Sequence, residues 1–333
     1  MTPSNFIATN RNHVWASIGS NVSNVHTATE AMHEAGLAGW NVRKTPLYWQ
    51  TEATIDENGV TPPQSIEVPD RFGIIRTNPN TGHPEHLGTV GTQYQPIQNE
   101  QTATLLDAIV GESGGHFQYA GAMRGGRDVF FTIKLPDEYS VVTPDGVTDA
   151  YDLNVVALNS HDGGGAFRVM VTPIRLACMN QQRAAKKSAV SNVSIRHTRN
   201  AQNAIDEVQR ALGLVRRQAE VIREDLQTLA DTPMDYDESV EFFTRLTKVN
   251  EDGISSQAKA NRRRAAFALQ SNLDGTRTLT DAMRRTRYGA YQAVTEYVDH
   301  LAPAKGGQTV RALRVASGSD TIKATAFDLL LAN

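Results

Sequence analysis

The hydrophobic period of this 333-residue chain changes once, at Cys178. Before it, apolar and β-branched residues cluster in short runs with a period near two, ending in a pair at 151–159 and 166–176. After it, apolar residues recur at helical spacing, as in Ile205, Val208, Leu212, Val215, Ala219, Ile222, Leu226 and Leu229. A period of two puts alternate side chains on opposite faces of a strand, whereas about 3.6 keeps them on one face of a helix. A β-rich half followed by an all-helical half is an α+β plan rather than a doubly wound sheet. The expected division is a mixed β-rich domain over residues 1–177 and a helical, basic region over 178–333 that packs on the sheet or extends from it.

Turn and cap residues set the finer expectations. A short helix is expected over 24–37 and an extended segment over 40–49. The polar stretch 50–69, with three prolines, reads as a loop or a strained hairpin linker. Strands 71–77 and 86–94 form a hairpin around Asn78-Pro-Asn-Thr-Gly82. Asn99 is placed to cap a helix to Val110 that Gly111 ends. A second hairpin pairs 116–123 with 127–134, and 136–149 reads as an acidic loop. The helical half is expected as a basic helix over 180–191, a long helix over 199–229 broken by Asp231-Thr-Pro233, a helix capped by Asp237, one opened by Ser255 or Ser256, and one long helix over 280–301. Short helices near 308–315 and 320–331 close the chain.

No apolar run approaches the roughly 18 residues that span a bilayer, so no membrane partner is expected. The first residues lack the apolar core of a signal peptide, and a single cysteine suits a reducing cytoplasm, which is the expected location. Charge is uneven. Residues 1–177 hold 10 Lys/Arg and 18 Asp/Glu, and residues 178–333 hold 23 and 18. A basic half on a chain of net charge −3 is either a nucleic-acid footprint or a set of solvated helix faces.

Several stretches resemble one family when taken together and in order. They are Leu87-Gly-Thr-Val-Gly-Thr-Gln-Tyr94 through Asn99, Ala120-Gly-Ala-Met-Arg-Gly-Gly-Arg127, Ser160-His-Asp-Gly163, Thr172-Pro-Ile-Arg175-Leu-Ala-Cys178-Met-Asn180, Arg196-His197-Thr198 and Thr295-Glu-Tyr-Val-Asp-His300. The chain is similar to the phage/plasmid-like protein family, catalogued as domain of unknown function 932. The resemblance implies a phage, prophage or plasmid origin and supplies no activity.

The candidate chemistry is of three kinds. His161-Asp162 on a glycine turn is either a metal-ligand or acid/base pair, with His197 as the further member, or a turn in which Asp162 accepts backbone N–H bonds. Cys178 is either a nucleophile, with Arg175 and His197 supplying the setting, or a small core residue. The cations form the third kind. Arg124 and Arg127 flank Gly125-Gly126, and Arg168 and Arg175 follow the 163–165 glycines. Arg183, Lys186, Lys187, Arg196 and Arg199 come next. Lys259, Arg262, Arg263, Arg264, Arg284, Arg285 and Arg287 lie further on, the last beside Tyr288 and Tyr291. Arginines interleaved with rings suit a single strand, with cations along the backbone and rings on the bases.

Hairpins followed by basic helices are also similar to the general plan of phage single-strand annealing proteins. The expected role is therefore nucleic-acid binding in phage DNA metabolism, with single-stranded DNA ahead of RNA, as a homo-oligomer and without a cofactor. Two alternatives stay open. One is a metal-dependent hydrolase or nuclease using His161, Asp162 and His197. The other is a host-interaction or assembly protein with an exposed apolar face on 199–229 or 280–300.

Overall fold

The computed structural model describes residues 14–57, 59–163, 167–175, 180–181, 193–195, 201–303 and 321–332. In chain order the first elements are β1 (Ser20–Asn21), α1 (Ala28–Glu34), β2 (Arg43–Gln50), β3 (Thr54–Asp56), β4 (Gly59–Thr61), β5 (Ser65–Thr77), β6 (Pro84–Val90) and α2 (Ala103–Ser113). The sheet strands β7 (His116–Met123), β8 (Asp128–Val142), β9 (Thr148–Ser160), β10 (Phe167–Arg175), β11 (Asn180–Gln181) and β12 (Val193–Ile195) follow. The helical half holds α3 (Ala201–Asp231), α4 (Tyr236–Leu246), α5 (Ser256–Gly275), α6 (Asp281–Arg284), α7 (Arg287–Glu296) and α8 (Ile322–Leu331). The α+β plan read from the change of period is the plan observed.

The centre is an antiparallel meander, β1-β7-β8-β9-β10, with β11 and β12 both on the far edge of β10. Alternation along β9 splits its side chains between two cores. Leu153, Val155 and Ala157 face one, which α1, α2 and the small sheet β2-β5-β6 cover. Val156 and Leu158 face the other, which the helices cover. That second core joins Trp15 and Phe130 of the β-rich half to Phe243 of α4, Leu273 of α5, Tyr291 of α7 and Phe327 of α8. Burying such a side chain contributes about 1.5–3 kcal/mol, so the helices pack on the sheet rather than extend from it. Helix α3 serves both cores, through Leu212 and Ala219 in one and Ile222, Leu226 and Leu229 in the other.

A buried hydroxyl chain ties the sheet to α7. The Gln292 amide donates to the Tyr151 hydroxyl at 3.0 Å, and the Tyr151 and Tyr288 hydroxyls bond each other. The Tyr288 hydroxyl also donates to Asp149. Tyr151 in turn stacks on Tyr139, with ring centroids 5.1 Å apart.

Several local expectations are corrected. Most of the supposed acidic loop 136–149 is strand: β8 runs to Val142 and β9 starts at Thr148. Pro136 cannot donate to a ladder, and the register slips between Lys134 and Glu138 to accommodate it. The expected helix over 180–191 begins as strand, because Asn180–Gln181 pair with the open edge of β10; residues 182–192 lie outside the described residues. The expected helix over 280–301 is interrupted. The Thr286 hydroxyl accepts from the Gly289 N–H and starts α7 afresh, and Tyr297–Leu301 form a π turn. Asn99–Thr102 form a 3-10 turn rather than the first turn of α2, which runs through Gly111 and ends at Gly114. Helix α4 is capped by Asp235, not Asp237, in a reciprocal pair with Glu238. The stretch 50–69 holds the β3-β4 hairpin and the start of β5. The short helix expected near 308–315 falls outside the described residues.

Replacing Tyr288 by Phe removes the bonds that its hydroxyl makes to Asp149 and to the Tyr151 hydroxyl. Two such bonds together contribute about 1–3 kcal/mol. Denaturant unfolding of Tyr288→Phe is expected to show a loss of that size. A variant as stable as the parent would mean that the chain of hydroxyls contributes nothing to joining the two layers.

Candidate nucleic-acid interface

The His161-Asp162-Gly163 turn closes the end of β9, against the small sheet. His161 is fully buried, and its ring Nε2 lies 2.9 Å from Asn99 Oδ1. The Asn99 amide nitrogen is already donating to the Leu37 carbonyl, so Asn99 offers an acceptor and His161 Nε2 carries the proton. Nδ1 is then a bare lone pair, with no partner among the described residues. Burial pushes the His161 pKa from its ordinary 6.5 down to about 4, so the ring is neutral near pH 7.

Asp162 accepts from the Ser160 hydroxyl at 2.9 Å and from the Arg124 guanidinium at 2.8 Å. Arg124 also pairs with Asp128, and this raises its pKa further above its ordinary value. The β7–β8 connection is left-handed at Arg124, Gly125 and Gly126. Gly126 has φ +91°, which favours glycine, and a Cβ there would lie 2.7 Å from the Arg76 guanidinium carbon. Arg76 itself sits over the Trp40 ring at 3.9 Å. Gly88 of β6 is pressed as closely on the turn, since a Cβ there would lie 2.7 Å from Asp162 Cα. The turn is thus a structural junction. In it Asp162 joins the Ser160 hydroxyl to the Arg124 guanidinium.

The predicted cations separate into groups. Arg124 is held by two carboxylates, and Arg127 is exposed beside it. Arg168 is half-buried on β10, and Arg175 ends that strand opposite Tyr151 and Asn180. Arg284 is tied to the Leu273 and Thr276 carbonyls and to Asp281, joining the end of α5 to α6. Arg262 binds the Lys248 carbonyl and Glu251, and Arg287 binds the Leu330 carbonyl. Tyr288 and Tyr291 are fully buried and present no face to a base. Cys178, Arg183, Lys186, Lys187, Arg196, His197 and Arg199 lie outside the described residues. Among the described residues no group of three His, Cys, Asp or Glu is placed to hold a metal ion.

The exposed ring is one that sequence reading missed. Phe267 on α5 is 75 % exposed. It borders an open groove of about 730 Å³ that continues past Ser271 and Arg277 to Tyr297 and Leu301. Arg263 and Arg264 lie four and three residues before Phe267, on the same side of the helix, and are exposed, as is Arg277 beyond its end. The Glu296 carboxylate lies in the groove wall, where it accepts the Thr276 and Thr278 hydroxyls at 2.6 and 3.2 Å. One signal for Phe267 was present in the sequence. Ala266, Leu269 and Leu273 form the inward stripe of α5, and Phe267 falls off it.

The His161 shift makes a prediction with a definite sign. The folded protein holds the ring neutral to about pH 4, while the unfolded chain takes up a proton near 6.5. This contribution is complete above pH 6.5 and is lost as pH falls toward 4. It amounts to about 3 kcal/mol. Denaturation across this range is expected to show a shallower pH dependence in His161→Gln than in the parent. Equal slopes would show that the ring charges freely in the folded state.

No helix among the described residues is long and apolar enough to cross a membrane. No curated protein and no solved structure matches the chain. One family model does, over residues 86–317, a span that takes in the His161 turn, strands β7 to β10 and the groove. The chain belongs to the family described as Domain of unknown function (DUF932).

Proposed function

We propose that this protein binds single-stranded nucleic acid, DNA ahead of RNA, with the strand crossing the groove between α5 and the end of α7. Phe267 carries the reading. A phenylalanine three-quarters exposed on a helix, with Arg263 and Arg264 one turn before it and Arg277 beyond it, has the make-up of a stacking platform with cations along the backbone path. Every base offers a π-face, so such a site is tolerant of sequence. The resemblance of the sequence motifs to a phage/plasmid-like family supports a role in the DNA metabolism of such elements, with strand annealing as its specific form. The hydrolase alternative needs His161 to reach a substrate, and His161 is fully buried.

The test is fluorescence anisotropy of a labelled oligonucleotide over a salt series, using protein freed of nucleic acid. Stacking on an aromatic ring is worth about 1–3 kcal/mol per base, so Phe267→Ala is expected to weaken binding about tenfold or more. Each phosphate contact to a single strand contributes about 0.7 to the salt slope. Replacing Arg263, Arg264 and Arg277 together is therefore expected to lower the slope by about 2. Arg284→Ala is expected to lower stability instead, through its bonds to Leu273 and Thr276. Absence of salt-dependent binding, or a Phe267→Ala variant that binds like the parent, would sink the reading.

A further inference from the structure

Residues 45–70 leave the body of the protein as a two-stranded arm. Strand β5 pairs with β2 from Ser65, but with β6 only from Phe72 onward. Over the first half of β5 the edge away from β2 therefore has no strand beside it among the described residues, and neither does the outer edge of β2. Beyond them lies the β3-β4 hairpin. None of the described residues between Arg43 and Arg71 is buried. A two-stranded ribbon is marginally stable at best when it stands alone in water.

This arm carries most of the large exposed apolar side chains of the β-rich half. Trp49 and Ile66 are opposite each other on one face, 60 % and 46 % exposed. Ile55 and Val60 face each other across the tip hairpin at 82 % and 68 %. The arm is also acidic, with Glu52, Asp56, Glu57, Glu67 and Asp70, and no Lys or Arg between Thr45 and Asp70. This charge disfavours a phosphate backbone and favours a basic, partly apolar surface. Pro46, the bulge after it and Pro69 make the edges poor templates for another strand. Contact is therefore through side chains.

A surface of that description lies on α3. From Val208 to Ala219 the helix carries Arg210, Arg216 and Arg217 and no acid. Arg210, Leu214, Arg217 and Val221 are spaced to lie on one side of it. Arg210 and Arg217 are exposed, Leu214 is half-buried, and Val221 is 45 % exposed. We propose that the acidic arm of residues 45–70 docks on the Arg210–Val221 stripe of α3 in a second copy of this chain. The contact joins two different surfaces, so repetition closes a ring or extends a filament. It is independent of nucleic acid and does not use the α5 groove.

The test is sedimentation of the nuclease-treated full chain over a concentration series at low and high salt. Assembly beyond the monomer, weakening with salt, is expected. Replacing Trp49 and Ile66 together by Ser removes exposed side chains only, and is expected to weaken assembly about tenfold or more, as loss of an aromatic anchor does. A charge swap makes the pairing specific. Glu52→Lys with Glu67→Lys and Asp70→Lys on the arm, and Arg210→Glu with Arg217→Glu on α3, should each abolish self-assembly. Mixing the two variants should restore a one-to-one complex. A parent that stays monomeric at every concentration, either variant assembling like the parent, or a mixture that stays dissociated would overturn the proposal.

Discussion

The Arg124 guanidinium bonds two carboxylates at once, and the rest of the fold depends on that fork. Asp128 opens β8 and Asp162 follows the end of β9, so one side chain clamps the end of this strand pair. The Ser160 hydroxyl bonds the same two carboxylates at 2.9 Å each. Arg124 holds left-handed geometry with φ +52°, which costs a non-glycine residue about 1–2 kcal/mol; these charged bonds offset the strain. Once the end is fixed, Gly88 can lie against the turn and Asn99 can reach His161. The small sheet and α2 are thereby set on the central sheet. Three of the stretches that carry the family resemblance, 87–99, 120–127 and 160–163, meet at this one place.

The charge imbalance along the chain resolves into more than one physical feature. The negative half places five of its 18 acids, with no Lys or Arg among them, on a ribbon that stands clear of the body, whereas the junction pairs Asp128 and Asp162 with Arg124. The positive half is likewise mixed. Arg262, Arg284 and Arg287 serve carbonyls and carboxylates within the helical layer, while Arg263, Arg277, Arg210 and Arg217 face outward. A count of charge by segment merges cations that brace helices with cations that meet solvent, and only the latter are free to bind a ligand.

What the sequence made legible follows the same division. Periodicity identified the meander hairpins, the long α3 and the terminal helix, because repeated apolar spacing is a local property. It did not reveal that β8 and β9 run on past Pro136, since pairing of Tyr139 with Tyr151 across the strands is a tertiary effect. Nor did it find the restart at Thr286, where Pro233 bridges to the helical break. At the candidate site, tyrosines next to arginines looked like a binding surface, yet spacing cannot say which face a neighbouring layer covers. Tyr288 and Tyr291 lie under that cover, and Phe267 lies outside it.

The three tryptophans are distributed so that each one samples a separate part of the molecule. Trp15 is sealed in the helical core against Phe130, with ring centroids 4.9 Å apart. Trp40 is sealed at the junction beneath the Arg76 guanidinium. Trp49 stands on the arm, 60 % open to solvent. The chain therefore contains its own set of optical reporters. A collisional quencher addresses the arm chromophore while the other two stay dark to it, and single-tryptophan versions separate emission from the helical layer, the junction and the ribbon. Whether these parts come apart together or one after another is thus written into the intrinsic fluorescence, with no label attached.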